Sequence, residues 1–211
     1  MRTPVTALRL LVEAIEDDLV DPQTRRRYLG TMRGHIDALS AMIDDLFELA
    51  RIEAGDIEWS IARVEARELL NETVDAMAPA ARAKGVEVRS ELGRTPLAAR
   101  ADAEKLQRVL FNLIRNAIRH TPADGSVVVR AQRTDDAVEI EVADTGAGIP
   151  RAERDRIFEP FCRAGADAAR ASDGAGLGLA IARAIVETHG GRIWVPAADR
   201  GTRIRFTVPA S

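Results

Sequence analysis

DTGAGIP at residues 144–150 and DGAGLGLAI at residues 173–181 are the stretches that decide how this chain folds. In the first, an acidic residue follows a strand pattern and opens a glycine loop. In the second, a glycine loop leads into an apolar helix. Glycine lets the backbone approach a phosphate without a Cβ atom in the way, and a helix start offers unpaired N–H groups and a positive dipole end. Together the two stretches predict a nucleotide site.

A third stretch, LFNLIRNAIRHTP at residues 110–122, makes the prediction more specific. Asn112 and Asn116 are four residues apart in an apolar helical pattern, so their amides share one helix face. Amide oxygens are hard ligands, and Mg²⁺ usually binds a few protein oxygens together with phosphates and waters. The predicted ligand is therefore ATP with Mg²⁺.

With these residues the sequence resembles the sensor histidine kinases of two-component systems. Members of that family carry an N box, a G1 box, an F box and a G2 box in that order. The corresponding stretches here are NLIRNAIRHTP (112–122), DTGAGIP (144–150), RIFEPFCRA (156–164) and GAGLGLAI (174–181). The resemblance covers nearly the whole chain. It implies an enzyme that moves the γ-phosphate of ATP to a histidine, from where it passes to a response-regulator aspartate.

The resemblance also implies roles for particular residues. Asp144 would accept a hydrogen bond from the adenine amino group, although a turn-forming acid is the alternative interpretation. Asn116 would bind Mg²⁺, Asn112 would support the phosphates, and Arg119 would pair with phosphate where many members have lysine. Since catalysis would be mostly positioning and charge neutralisation, these last three are also the predicted catalytic residues. His120 is either a neighbour of the nucleotide or a histidine near the last carbonyls of its helix.

The remaining predicted site residues lie in the glycine and phenylalanine boxes. Phe158 and Phe161 are expected to pack as core aromatics and to anchor the following loop, and Arg163 is a candidate for contact with the γ-phosphate. The full set of predicted nucleotide-binding residues is Asn112, Asn116, Arg119, His120, Asp144, Gly146, Gly148, Phe158, Phe161, Arg163, Gly174, Gly176, Leu177 and Gly178.

The first four residues resemble the end of the family's H box, a His-acid-Leu/Met-Arg-Thr-Pro run. The phospho-accepting histidine is then expected two positions before Met1, and the printed chain is expected not to phosphorylate itself. Thr3 occupies the position that, in phosphatase members, orients the attacking water; a cap beside Pro4 is the alternative interpretation. His35 and His189 lack H-box neighbours and are interpreted as structural.

Heptad spacing organises the first 54 residues, which are predicted to be the dimerisation and phosphotransfer hairpin. Two such helices cannot bury both seams alone, so we expect a homodimer that forms a four-helix bundle. Asp21 and Pro22 suit an N-cap and a first helical position between the two helices. The seams are Val5, Leu8, Val12, Ile15 and Leu19, then Met32, Ile36, Leu39, Ile43, Leu46 and Ala50.

From residue 55 to residue 211 the pattern alternates between helices and strands and predicts the ATP-binding domain. The expected fold is α+β: the hairpin, followed by a two-layer α/β sandwich with helices on one face of a mixed sheet. Strands are predicted at 57–59, 86–88, 127–133, 138–142, 192–195 and 203–208, and helices at 67–84, 104–118 and 179–189.

Composition limits the partners and the compartment. A net charge of −3 argues against a nucleic-acid surface, which would be basic. The single cysteine, Cys162, suits a reducing compartment. No apolar run approaches the length of a membrane span, so we expect a cytoplasmic fragment without membrane contact, whose parent protein carries any membrane anchor upstream.

Two functions remain open from the sequence. The first is the kinase core, with a response-regulator receiver domain as its partner. The alternative is an ATP-binding dimeric docking module, or a phosphatase for a response regulator, without autokinase activity. Other ATPases of the same nucleotide-fold superfamily are disfavoured because the heptad hairpin, ending in RIEAG at residues 51–55, belongs to kinases.

Overall fold

Two helices open the chain and a mixed α/β region follows them. The computed structural model describes residues 2–16, 20–162, 176–198 and 200–211. The elements are α1 (Arg2–Glu16), α2 (Pro22–Ala54), β1 (Ala62–Glu65), α3 (Ala66–Ala83), β2 (Glu87–Leu92), β3 (Ala98–Ala101), α4 (Ala103–His120), β4 (Ser126–Arg133), β5 (Ala137–Asp144), 3₁₀ turns at Arg151–Glu153 and Arg156–Phe158, α5 (Gly178–Thr188), β6 (Ile193–Trp194) and β7 (Thr202–Pro209).

The ends of α2 follow directly from local chemistry. Asp21 accepts hydrogen bonds from the backbone N–H groups of Gln23 and Thr24 at 2.9 and 3.1 Å, so it is the N-cap that the sequence predicts. Gly55 ends the helix in the left-handed conformation, with φ of 75°, which glycine adopts without strain.

One side of α2 carries an apolar stripe. Leu29, Ile36 and Ile43 lie seven residues apart and are exposed, Ile43 to 53%. Met32 and Leu39 are half-buried on the adjacent side of the helix, and α1 packs along α2. Ile36 and Ile43 belong to the predicted seam, and Leu29 extends their row by seven residues; a single chain leaves this stripe in contact with solvent.

The main sheet has the strand order β2-β4-β5-β7-β6. Only β2 and β4 run parallel; the other neighbouring pairs are antiparallel. Alternate residues of β4, β5 and β7 join a core with α3, α4 and α5, and the predicted two-layer sandwich is confirmed. On the opposite face, Arg130 and Arg205 flank the buried carboxylate of Glu141 at 3.2 and 2.6 Å.

The predicted strand at 57–59 is wrong. Trp59 lies outside any strand and meets the His189 ring edge-on, with ring centroids 5.2 Å apart. The strand in this region is β1, which pairs antiparallel with β3, a strand that the sequence analysis missed. Both are rich in alanine and arginine, which carry little β propensity. The other predicted strands and helices are present, with shifted ends.

The core continues into the end of α2. Leu49 and Ile52 are only 5% and 8% exposed and belong to the same core cluster as the sandwich. α2 packs against α5. The last two turns of the hairpin helix are therefore packed as part of the α/β region. Within the described residues, no helix is both long enough and apolar enough to span a bilayer.

Candidate nucleotide site

Asn112 lies where α4 meets the first residue of α5. It is 9% exposed, and its Oδ1 atom accepts a hydrogen bond from Arg115 Nη2 at 3.0 Å. A Cβ atom on Gly178 would lie 3.2 Å from the same Oδ1 atom, closer than most real Cβ contacts, so glycine allows this approach. The Nδ2 atom of Asn112 is a buried donor without an acceptor among the described residues.

The unpaired Nδ2 group of Asn112 indicates which kind of ligand the site can bind. A buried amide N–H without an acceptor costs free energy, and a phosphate oxygen would satisfy it. The site also includes the N-terminus of an eleven-residue helix, which favours negative charge. The arrangement therefore fits a polyphosphate.

The remaining residues of the N box lie further along α4. Asn116 is half-buried one turn after Asn112, and Arg119 and His120 lie in the last turn, half-buried and exposed respectively. Among the described residues, no group of three or more His, Cys, Asp or Glu side chains could hold a metal.

Asp144 ends β5 and is held by the backbone around it. Its Oδ1 atom accepts hydrogen bonds from the N–H groups of Gly146 at 2.8 Å and Thr202 at 3.2 Å. Burial raises the pKa of the Asp144 carboxyl, and the bonds from Gly146 and Thr202 oppose that rise. A carboxylate has about four acceptor positions, so capacity remains for an adenine amino group.

Glycine is required near Asp144 because neighbouring backbone segments approach too closely for a Cβ atom. A Cβ on Gly146 would lie 2.5 Å from the carbonyl oxygen of His120, so the G1 loop sits directly against the end of α4. Gly148 has φ of 81°. Gly201 has φ of 67°, and a Cβ there would overlap the carbonyl oxygen of Asp144.

Gly201 and Thr202 contact Asp144 and belong to the candidate site, and the sequence analysis missed them. They bring the start of β7 onto Asp144, 58 positions earlier in the chain. A glycine before a strand of alternating apolar residues predicts a turn, but nothing in the sequence pairs that turn with Asp144.

The F box behaves differently at its two phenylalanines. Phe158 is buried, as predicted. Phe161 is 50% exposed, so its predicted core packing is wrong. Its φ is 63°, and this left-handed conformation directs its N–H group to the Gly176 carbonyl oxygen at 3.0 Å. Phe161 therefore anchors the following loop through its backbone rather than through its ring.

Of the other predicted site residues, the structure describes Gly176 and Leu177 fully. Gly176 has φ of 73° and lies against the Cys162 carbonyl, and Leu177 is fully buried, so Leu177 could offer a ligand only backbone atoms. Arg163 and Gly174 lie outside the described residues. Thr3 lies in α1, but its side chain is outside what the structure describes.

His189 has both ring nitrogens engaged. Nε2 accepts from the Asp102 N–H group at 3.0 Å, and Nδ1 donates to the Ile185 carbonyl oxygen at 2.7 Å. The side chain is 8% exposed. The geometry agrees with the structural interpretation of this histidine.

Comparison with known proteins agrees with this geometry. The family model described as "Histidine kinase-, DNA gyrase B-, and HSP90-like ATPase" matches residues 101–211. The model described as "His Kinase A (phospho-acceptor) domain" matches residues 1–55. The adaptive-response sensory kinase SasA of Synechococcus sp. (strain JA-3-3Ab) is 31% identical over 214 residues, which cover 99% of this chain and 56% of SasA. The chain thus spans about half the length of this curated relative.

The chain is similar to solved structures of histidine kinases, among them the following two. Full-length ShkA in complex with AMPPNP is 31% identical, with a TM-score of 0.77, covering 91% of this chain and 40% of that one. ThkA, solved with the response regulator TrrA, has a TM-score of 0.82 over 100% of this chain and 58% of that one; at 24% identity it shows the fold alone. By its family matches and its fold, the chain belongs to the histidine kinases and carries a phospho-acceptor-type helical region followed by the ATPase domain.

Proposed function

We propose that this chain is the ATP-dependent core of a two-component sensor kinase. It transfers the γ-phosphate of ATP to a histidine, and the phosphoryl group then passes to an aspartate of a response regulator. The observation that carries this proposal is the buried Nδ2 donor of Asn112, which lies beside the N-terminus of α5 and has no acceptor among the described residues. A phosphate oxygen would satisfy this donor, and the adjacent helix start favours a negatively charged acceptor.

In this proposal the residues of the site divide the work of binding. Bound Mg-ATP supplies the transferable phosphoryl group and a metal ion that neutralises its charge. Asp144 accepts a hydrogen bond from the adenine amino group and so selects against guanine, whose carbonyl would face the carboxylate. Asn112 donates to a phosphate oxygen, Asn116 offers its amide oxygen to Mg²⁺, and Arg119 neutralises phosphate charge. Catalysis is then mainly positioning.

The backbone N–H groups around Gly176 and Gly178 complete the phosphate cradle. The F box closes the site on the other side through Phe158 and Phe161. Arg163 and Gly174, which lie outside the described residues, are proposed to contact the phosphates. His120 borders the nucleotide from the end of α4, next to Gly146.

The partners follow from the helical region. The exposed stripe of Leu29, Ile36 and Ile43 is covered by a second copy of the chain, as in a four-helix bundle. The response-regulator receiver domain binds the same hairpin, and Thr3 is proposed to orient the attacking water in a phosphatase reaction. We place these events in the cytoplasm, with any membrane anchor in a longer parent protein.

The test is phosphohistidine formation. The chain is extended at its N-terminus by an H box and the preceding helix turns, and incubated with Mg-ATP labelled at the γ-phosphate. We expect acid-labile label on the extended chain, no label on the printed chain, and none on the extended chain with Asn116→Ala. ATP binding by the extended chain without any label would instead favour the docking module or the phosphatase.

A further inference from the structure

Lys84, at the corner between α3 and β2, reaches across to the end of the N-box helix. Its Nζ atom donates to the carbonyl oxygen of Ile118 at 2.8 Å and also to that of Arg119. Both carbonyls belong to the last turn of α4, which leaves carbonyls without the N–H partner found four residues on in a continuing helix; the Ile118 carbonyl also accepts from the Thr121 N–H group at 3.3 Å. The ammonium thus caps two carbonyls at the negative end of the helix dipole.

The other carbonyls of this turn are also held. The Ala117 carbonyl oxygen accepts from the hydroxyl of Thr121 at 2.7 Å. The carbonyl oxygen of His120 lies directly against Gly146 of the G1 loop. Lys84 therefore adds a second donor to the Ile118 carbonyl, which already accepts from the Thr121 N–H group, and supplies the hydrogen bond to the Arg119 carbonyl.

The same corner holds the loop that follows α4. The Gly85 carbonyl oxygen accepts from the N–H group of Asp124 at 2.8 Å, and the Glu87 N–H group donates to Gly125 at 3.0 Å. Ser126 then exchanges hydrogen bonds with Thr145, the residue next to Asp144. The α3–β2 corner is thus connected on one side to the N box and on the other to the G1 loop.

Residue type is informative at this position. Among 30 basic residues, only Lys84 and Lys105 are lysines. An ammonium has three donors around one atom and can serve two adjacent carbonyls, whereas a guanidinium is a planar fork that suits a carboxylate. We therefore expect arginine to replace Lys84 only in part.

We propose that Lys84 is a positioning residue for the nucleotide site: its cap on Ile118 and Arg119 fixes the last turn of α4, and with it the direction in which the Arg119 side chain leaves the helix. Lys84 does not itself contact the nucleotide. The inference rests on the proposed function, since it assumes that Arg119 pairs with phosphate.

The test compares ATP with adenosine by calorimetry on the whole chain. Lys84→Met should weaken ATP binding about fivefold or more, within the usual range for coupled sites, and adenosine binding much less. Lys84→Arg should recover part of the loss. Lys105→Met is the matched control, since Lys105 pairs with Glu48 at the other end of α4, and it should leave both affinities unchanged.

A double mutant separates positioning from stability. If Lys84 acts through Arg119, Lys84→Met should weaken ATP binding little further once Arg119→Gln is present. Folded Lys84→Met with unchanged ATP affinity, or full additivity with Arg119→Gln, would overturn the inference. If Lys84→Met does not fold, Lys84→Arg is tested instead, by its ratio of ATP affinity to adenosine affinity. A ratio lower than that of the wild-type chain supports the inference, and an equal ratio overturns it. A wild-type chain that binds no ATP would overturn the proposed function instead.

Discussion

Arg108 Nε lies 2.5 Å from Glu48 Oε2, and this ion pair joins the N-box helix α4 to the hairpin helix α2. It belongs to a cluster: Arg108 also pairs with Asp45 at 2.8 Å, and Lys105 pairs with Glu48 at 3.1 Å. Burial raises the pKa of the Asp45 carboxyl, and the positive charge of Arg108 opposes that rise. The cluster is therefore partly removed from water, and its charges depend on each other.

Reversing the charge of Arg108 should loosen α2 from α4. In Arg108→Glu the new carboxylate faces Asp45 and Glu48, and we expect the free energy of unfolding to fall by about 1–3 kcal/mol, less than for a fully buried pair because Arg108 is partly exposed. Urea unfolding measures the loss. Arg94→Glu, at an exposed loop position, is the control, and an equal loss there would contradict the role of the cluster.

Asp144→Asn should weaken ATP binding by roughly 1.5–3 kcal/mol, the range for a hydrogen bond to a charged group. The asparagine amide presents a donor toward the adenine amino group in place of an acceptor. Calorimetry should use the whole chain, because Leu49 and Ile52 contribute to the core. An unchanged affinity would remove Asp144 from the adenine site.

The pH dependence of ATP binding should report the same carboxylate. Burial raises the pKa of Asp144 above the ordinary range for aspartate. On acidification this group therefore becomes protonated earlier than a free aspartate, and ATP affinity should fall in that window. The Asp144 carboxyl contributes to the free energy of unfolding in the opposite direction. This contribution is present at low pH and is lost as the pH rises through the raised pKa. Titration calorimetry from neutral to mildly acidic pH measures the first effect, and Asp144→Asn should remove it.

Ile43→Asp should give monomers, as should Leu39→Asp. Ile43 is exposed in the single chain, so the substitution should leave the fold intact while burying an unpaired charge in the dimer. Leu39 is half-buried, so its substitution should also destabilise the hairpin. Light scattering measures the mass. Ala41→Asp, on the opposite side of α2, should stay dimeric, and an Ile43→Asp chain that stays fully dimeric would contradict the assembly.

His189→Ala should lower the free energy of unfolding by about 1–3 kcal/mol, because it leaves the buried N–H group of Asp102 without its acceptor. The Ile185 carbonyl loses the ring donor but keeps the backbone N–H group of residue 189. Thermal unfolding measures the loss, with His35→Ala as the comparison. Since both ring nitrogens of His189 are engaged, we expect no phosphohistidine at this residue. Label at His189 in the printed chain would contradict that assignment.

Features that depend on neighbouring residues could be predicted from the sequence. The N-cap at Asp21 and the end of α2 at Gly55 are read from residue types at fixed spacing. The spacing of Asn112 and Asn116 on α4 is equally local. These are the features for which a short window of sequence contains the whole physical cause.

Features that depend on distant residues could not be predicted. The contact of Thr202 with Asp144 and the cap of Lys84 on α4 join positions 58 and 34 apart, and a single sequence contains no signal for them. The heptad pattern placed Leu46 and Ala50 in the seam, and both are exposed in the single chain, as Ile36 and Ile43 are. The pattern gave no sign that Leu49 and Ile52 are buried in the α/β core, because that burial depends on residues far along the chain.

The unbroken length of α2 has a mechanical consequence. Its 33 residues make a rod of about 50 Å, with Leu49 and Ile52 set into the core at one end. Because the helix is continuous between them, a rotation of α2 at Pro22 would also rotate those two side chains. α2 packs against α5, and the first residue of α5 lies against Asn112. A rotation of α2 would therefore shift the residues at which the phosphates are proposed to bind.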